Sequence, residues 1–329
     1  MLPISHASRL LRAFMRAYEI FMRAPTQSVV TLLTVVLALV SVPVVNAGSG
    51  LIAHRGATRS GVPSSPSLNL GVDVNKREAV KQAFLYNYRN YEKYALGYDT
   101  LAPLSKKGQN LNGILGAFGA TAYDSLSTMV VMGLEKDAVF ERAMKFVEKI
   151  DFTKTKGGDP KGVISIFELT IRALGGLIST HDLLEHKGIK PPAFLVAQSR
   201  RLADTLLPGF VHDVPFNYVN ITAGKPNNMS DTANYAEAGT LVLEWSRLSD
   251  LTGNGTYRNK ALASEKALMA ATQVFPGLPG QQIWPQNGSH PQTLAGRYVT
   301  WGGGTDSFFE VSLAAAAMAL IGSEDTSDE

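Results

Sequence analysis

At 329 residues the chain has room for two ordinary domains or one large one. With 45% hydrophobic and 18% charged residues it is too apolar for a disordered chain and too lightly charged for a coiled coil. The formal net charge of +3 is local: residues 1–47 carry Arg9, Arg12, Arg16 and Arg23 against Glu19, and taking these from 31 and 28 leaves 27 basic and 27 acidic residues. A neutral body excludes nucleic acid as a partner.

The N-terminus reads as an address. An apolar run, Val29–Val45, follows the arginines and leads into Val45-Asn46-Ala47, with small residues at cleavage-type positions. Residues 1–47 are therefore expected to be a signal peptide or a signal anchor. As a helix the run would span about 25 Å, slightly short of the hydrocarbon core, so anchorage through residues 24–47 requires tilt. Either form places the body on the lumenal side, in the ER or Golgi lumen, secreted, or as a type II membrane protein. Four sequons, at Asn220, Asn228, Asn254 and Asn287, agree with that address. Cysteine is absent, so no disulfide framework holds the body together.

Residues 48–72, rich in Gly, Ser and Pro, are expected to form a stem. Helical patterning begins next. Asp73 is placed to cap a helix through Phe84, Tyr88, Tyr91 and Ala95 that stops at Gly97. Phe140, Met144, Val147 and Ile150 lie on one helical face, as do Ile164, Phe167, Ile171, Leu174 and Ile178. Leu241, Trp245 and Leu248 repeat the spacing inside a segment from Asp231 to Leu251, closed by Gly253. No strand-like alternation is evident, so the expected class is all-α.

Four of these segments open with an acid set directly against apolar residues: Asp124, Glu168, Glu237 and Asp306. Their spacing suits successive helical hairpins, and hairpins wound into a toroid would aim inner-helix N-termini at a common axis. The alternative is that acids at helix starts simply complement the macrodipole. Unpaired carboxylates in a core are costly, which favours a site.

The same segments resemble the class I α-1,2-mannosidases of glycoside hydrolase family 47. Similar stretches are Ala83–Ser105, Thr121-Ala122-Tyr123-Asp124-Ser125-Leu126, Phe167-Glu168-Leu169-Thr170-Ile171-Arg172-Ala173-Leu174-Gly175-Gly176, Ala236–Gly253 and Trp301–Glu310, in that order. The resemblance implies an (α/α)7 barrel, of which this chain covers about the first half in residues 73–312, followed by a divergent acidic tail at 313–329. It also implies inverting removal of terminal α-1,2-linked mannose from high-mannose N-glycans. Carried over by motif, Glu168 is the proton donor and Asp306 positions the attacking water. Asp124, Glu237 and Glu310 match further acidic pocket positions. Inversion needs one carboxylic acid and one carboxylate on opposite sides of the anomeric carbon. Tyr123, Phe167 and Phe308, beside the acids, are candidates to stack on sugars, with core packing as the alternative.

Calcium is implied by the family, but its threonine ligand lies in the half that is not matched, and no metal ligand is assigned here. Tyr98 and Ser127 stand where the family has His and Asp. These departures leave three readings: an incomplete or inactive mannosidase, a glycan-binding relative without turnover, and a membrane-tethered helical scaffold.

Overall fold

The computed structural model describes residues 73–111, 113–156, 162–227, 232–275, 278–285 and 298–324, with side chains of the last helix to Ala315. The expected leader and stem, and sequon residues Asn228 and Asn287, lie outside the described residues.

Helix α1, Val74–Ala95, starts where expected: Asp73 Oδ1 accepts the Lys76 N–H at 3.0 Å. It buries Leu85, Tyr88, Tyr91 and Ala95 and is followed by Gly97 at φ 96°. A hairpin, β1 (Thr100–Ala102) with β2 (Lys107–Gln109), leads to α2 (Ala120–Asp124) and α3 (Leu126–Val131), which bend at Ser125. Helix α4, Ala138–Glu148, is capped by Asp137 and buries Phe140, Met144 and Val147, the expected face. Strand β3 (Val163–Ser165) runs into α5 (Ile166–Glu168), a π-helical turn (Leu169–Leu174) and α6 (Gly175–His186). Helix α7, Phe194–Leu206, precedes the hairpin of β4 (Tyr218–Asn220) and β5 (Lys225–Asn227), which extends β3 into a three-stranded sheet. Then follow β6 (Ala233–Asn234), α8 (Tyr235–Gly239), α9 (Val242–Thr252) and α10 (Thr256–Ala270). Short strands β7 (Gln273–Phe275), β8 (Leu278–Pro279) and β9 (Gln282–Ile283) lead towards α11, Asp306–Glu324.

The helices form two layers. Helices α2/α3, α5/α6, α8/α9 and α11 pack on one another in that order as an inner layer. Outside them, α4 packs on α2 and α3, α7 on α6 and α9, and α10 on α8 and α9. An Arg142–Glu92 fork at 2.6 and 2.9 Å ties α4 to α1. This is the hairpin winding expected from the sequence, seen for successive pairs. No described helix is long and apolar enough to cross a membrane.

The helix-dominated class expected from the sequence holds, with short strands added, each only two or three residues long and too short to carry an alternating pattern. Two details of the helical pattern need correction. The Ile164–Ile178 stripe is displaced in part: Ile164 lies in β3, Phe167 and Ile171 are half-buried, and Leu174 and Ile178 are buried together with Ile166, Leu169, Ala173 and Leu177. The π turn inserts one residue into the helical period and so shifts the face. The Asp231–Leu251 segment is not one helix: Thr240 and Leu241 break it, although Leu241, Trp245 and Leu248 are buried as expected. The boundary expected at 312/313 falls inside α11.

Asp99 pins the first inner helix. It is fully buried, and its carboxylate accepts the N–H groups of Leu111, Gly119 and Ala120 at 3.1, 3.1 and 3.3 Å. Its carbonyl accepts the Thr121 hydroxyl at 2.7 Å. Two of those donors belong to the start of α2, so this one side chain caps the helix that carries Asp124. Asp99→Ala should cost about 3 kcal/mol or more in urea unfolding, because it strands buried donors.

Glu244, in the first turn of α9, lies over α6: a Cβ built at Gly175 would stand 3.4 Å from its Oε1. It keeps a little surface, yet burial among the inner helices pushes its carboxyl up to about 7. The native state then holds a proton that the unfolded chain releases near pH 4.5. Stability should therefore fall as pH rises from about 4.5 to 7. Glu244→Gln should flatten that slope and stabilise the protein at pH 8 by on the order of 1–3 kcal/mol, read from denaturation midpoints across pH.

Candidate active site

The inner helices bring their acids to one end of the layer, and each arrives by a local device. Ser165 caps α5, its hydroxyl accepting the Glu168 N–H at 3.2 Å, so Glu168 sits in the first turn. Asn234 does the same for Glu237 in α8 at 2.8 Å. Asp306 is the first residue of α11, its N–H bonded to the Gly302 carbonyl at 3.1 Å. Asp124 departs from the expected pattern: it ends α2 and stands at the bend rather than at a helix start. Gly176 permits that position, since a Cβ there would come within 2.7 Å of the Tyr123 carbonyl oxygen. Only glycine lets the Asp124 segment approach the Glu168 helix so closely.

Arg172, one turn past Glu168 in the π segment, binds this group together. Its Nε donates to Glu168 Oε2 at 2.6 Å and its guanidinium lies 3.7 Å from Asp124 Oδ2. The Asp124 carboxyl is raised from its ordinary value, first by burial and further by the Glu168 charge, while Arg172 opposes both. The Asp124 side chain nevertheless remains 46% exposed, so that burial is partial. Glu237 is likewise raised by burial and by Glu168, against hydrogen bonds from Asn234 and Asn217. Tyr218, on β4, is held above its usual range by burial and by the charges of Glu237 and Glu168.

Asp124, Glu168 and Glu237 thus form one electrostatic group. Asp306 reaches the same end through its neighbours: Ala236 N–H donates to the Gly304 carbonyl at 3.1 Å, and the Thr240 hydroxyl to Ser307 Oγ at 2.8 Å. Glu310 is exposed, one turn further along α11, and is not part of the Arg172-centred group. Two of the expected stacking aromatics are core residues. Tyr123 is fully buried and lies near Phe152, and Phe308 is buried against Tyr235; Phe167 is half-buried.

Sequence reasoning missed Arg172, Asn217 and Tyr218. Arg172 had a usable signal, a cation four residues after the acid on a helix. Asn217 and Tyr218 had none, because a strand pairing across more than fifty residues delivers them: β3 pairs with β4, and the Ile166 N–H donates to the Asn217 carbonyl at 2.9 Å.

Calcium needs six to eight oxygen ligands. Among the described residues, the cluster that could hold a metal is His181, Asp182 and Glu185. It does not fit calcium: Arg247 takes both Asp182 oxygens at 2.9 Å, and His181 Nδ1 lies 2.9 Å from one of them.

Residues 83–328 match the sequence profile of glycosyl hydrolase family 47. The mannosyl-oligosaccharide alpha-1,2-mannosidase of Penicillium citrinum is 38% identical over 276 residues, 80% of this chain and 50% of the relative. That of Coccidioides posadasii is 39% identical over 263 residues, 76% of this chain and 48% of the relative. The solved alpha-1,2-mannosidase from Trichoderma reesei superposes with a TM-score of 0.64 at 30% identity, covering 77% of this chain and 54% of that one. The chain thus spans about half the length of the relatives it matches. With its acids carried in order on successive inner helices and the match running through all of them, the chain belongs to glycosyl hydrolase family 47.

Proposed function

We propose that the chain acts on terminal α-1,2-linked mannose of high-mannose N-glycans, hydrolysing the linkage with inversion. The observation that carries this reading is the convergence of Asp124, Glu168 and Glu237 around Arg172, in segments matched to mannosyl-oligosaccharide alpha-1,2-mannosidases. In this reading Glu168 is the general acid. Arg172 orients it through Oε2, and in the protonated, reacting form the other oxygen delivers its proton to the glycosidic oxygen as the C–O bond breaks. Water adds to the anomeric carbon from the opposite face and loses its proton to a carboxylate, a role assigned to Asp306. Asp124, Glu237 and Glu310 bind sugar hydroxyls. No step is routed through calcium, which the His181, Asp182 and Glu185 cluster does not fit.

A second reading, glycan binding without turnover, is favoured by one observation: within the matched motifs Tyr98 and Ser127 stand where the family has His and Asp. Mannose release from α-1,2-mannobiose separates the two. Under the first reading, Glu168→Gln lowers turnover by about 10²–10⁴-fold while binding survives, since the amide loses only the proton. An aryl mannoside with a good leaving group should recover much of that loss, because it needs little protonation. Binding of the disaccharide without release by the wild-type chain would establish the second reading instead.

The body is further proposed to enter the secretory pathway, with residues 24–47 its one membrane contact if uncleaved. Asn254 is exposed in the turn between α9 and α10. Expression in a eukaryotic secretory host should give an endoglycosidase-sensitive gel shift that Asn254→Gln reduces.

A further inference from the structure

Trp301 is unusual among the three tryptophans: Trp245 is fully buried and Trp284 half-buried, but Trp301 is 66% exposed. An indole left in water forfeits a large burial term. Trp301 is nevertheless held in place. Its ring packs on Phe309 at 4.5 Å between centroids, with the planes tilted by 39°, and Phe309 in turn packs on buried Phe308. The Gly302 carbonyl accepts the N–H groups of both Thr305 and Asp306 at 3.1 Å, coupling Trp301 to the first turn of α11. Around it the chain leaves room: Gly303 has nothing within 4 Å of where a Cβ would stand. Tyr298, 63% exposed, continues the aromatic surface.

We propose that Trp301 is a sugar-stacking platform on the rim of the acidic site, receiving a pyranose of the oligosaccharide other than the terminal mannose. A pyranose presents an apolar C–H face with hydroxyls at its edge, which suits a flat, pre-ordered indole bordered by open backbone. The rim position follows from the contacts: the carbonyl of Gly302, the next residue, holds the Asp306 N–H, and Trp301 itself rests on Phe309, whereas Glu168 keeps only 27% of its side-chain surface. This inference rests on the carbohydrate reading of the acid group and adds a second subsite to it.

The test is calorimetric titration of the full chain, wild type and with Glu168→Gln to block turnover of the probe, with tryptophan fluorescence read in parallel, using α-1,2-linked mannotriose and methyl α-mannoside as probes. Mannotriose should perturb tryptophan emission. Trp301→Ala should abolish that signal and weaken mannotriose binding about five- to tenfold, while leaving methyl α-mannoside unaffected. Trp301→Phe should restore most of the affinity. The exposed position makes these variants fold-neutral, which a thermal melt verifies. Unchanged mannotriose affinity in Trp301→Ala would overturn the platform and leave the carbohydrate reading standing. Equal losses for both probes would overturn the rim assignment. If the wild-type chain binds neither probe, the platform and the carbohydrate reading fall together.

Discussion

Arg172 is the cation on which the acidic end of the inner layer depends. Carboxylates from different helices repel, and a partly buried wall strengthens that repulsion by removing water between them. A guanidinium that reaches both Asp124 and Glu168 offsets the cost at the point where it is greatest. Arg172 does so from within the π turn, four residues after Glu168. Around that turn the packing is specific: Trp245 Nε1 donates to the Thr170 hydroxyl at 3.1 Å, and the Gly175 N–H reaches back to the Thr170 carbonyl. A wide turn of this kind is costly alone and is kept where function demands its geometry.

Every inner helix except α11 is interrupted near the acidic end. Helices α2 and α3 bend at Ser125, the π turn divides α5 from α6, and Thr240 and Leu241 separate α8 from α9. The interruptions let a short first segment be aimed by its own cap while the longer second segment packs as an ordinary helix. Ser165 and Asn234 aim Glu168 and Glu237 in this way. Asp99 reaches Asp124 by a different route, capping α2 from a loop some twenty residues earlier.

Much of this was legible from residue order. Asp73, Gly97 and Gly253 marked helix ends because capping and left-handed φ are local requirements. Phe140, Met144 and Val147 found their face because α4 is a regular helix. The π turn was not legible, since a one-residue insertion leaves the apolar count unchanged and moves only the phase. The strands were too short to alternate. Tyr218 and Asn217 reach the acids by pairing far along the chain, a relation that periodicity does not encode. The aromatics beside the acids looked like sugar platforms, yet Tyr123 and Phe308 serve the core, because a neighbour in sequence to an inward-facing acid points a third of a turn away.

The order in which the charges occur along the chain bears on how such a wall could be assembled during synthesis. Domains begin to fold from the N-terminus as the chain emerges. Asp124 comes first and meets no other member of the group. Glu168 and Arg172 then arrive on the same stretch of helix, so the second carboxylate never docks without its cation. Glu237 follows into a field already partly neutralised, and Asp306 comes last, on the helix that closes the described end. Asp124 and Glu168 are thus never brought together without Arg172, and placing Glu168 and Arg172 in separate helices would remove that protection.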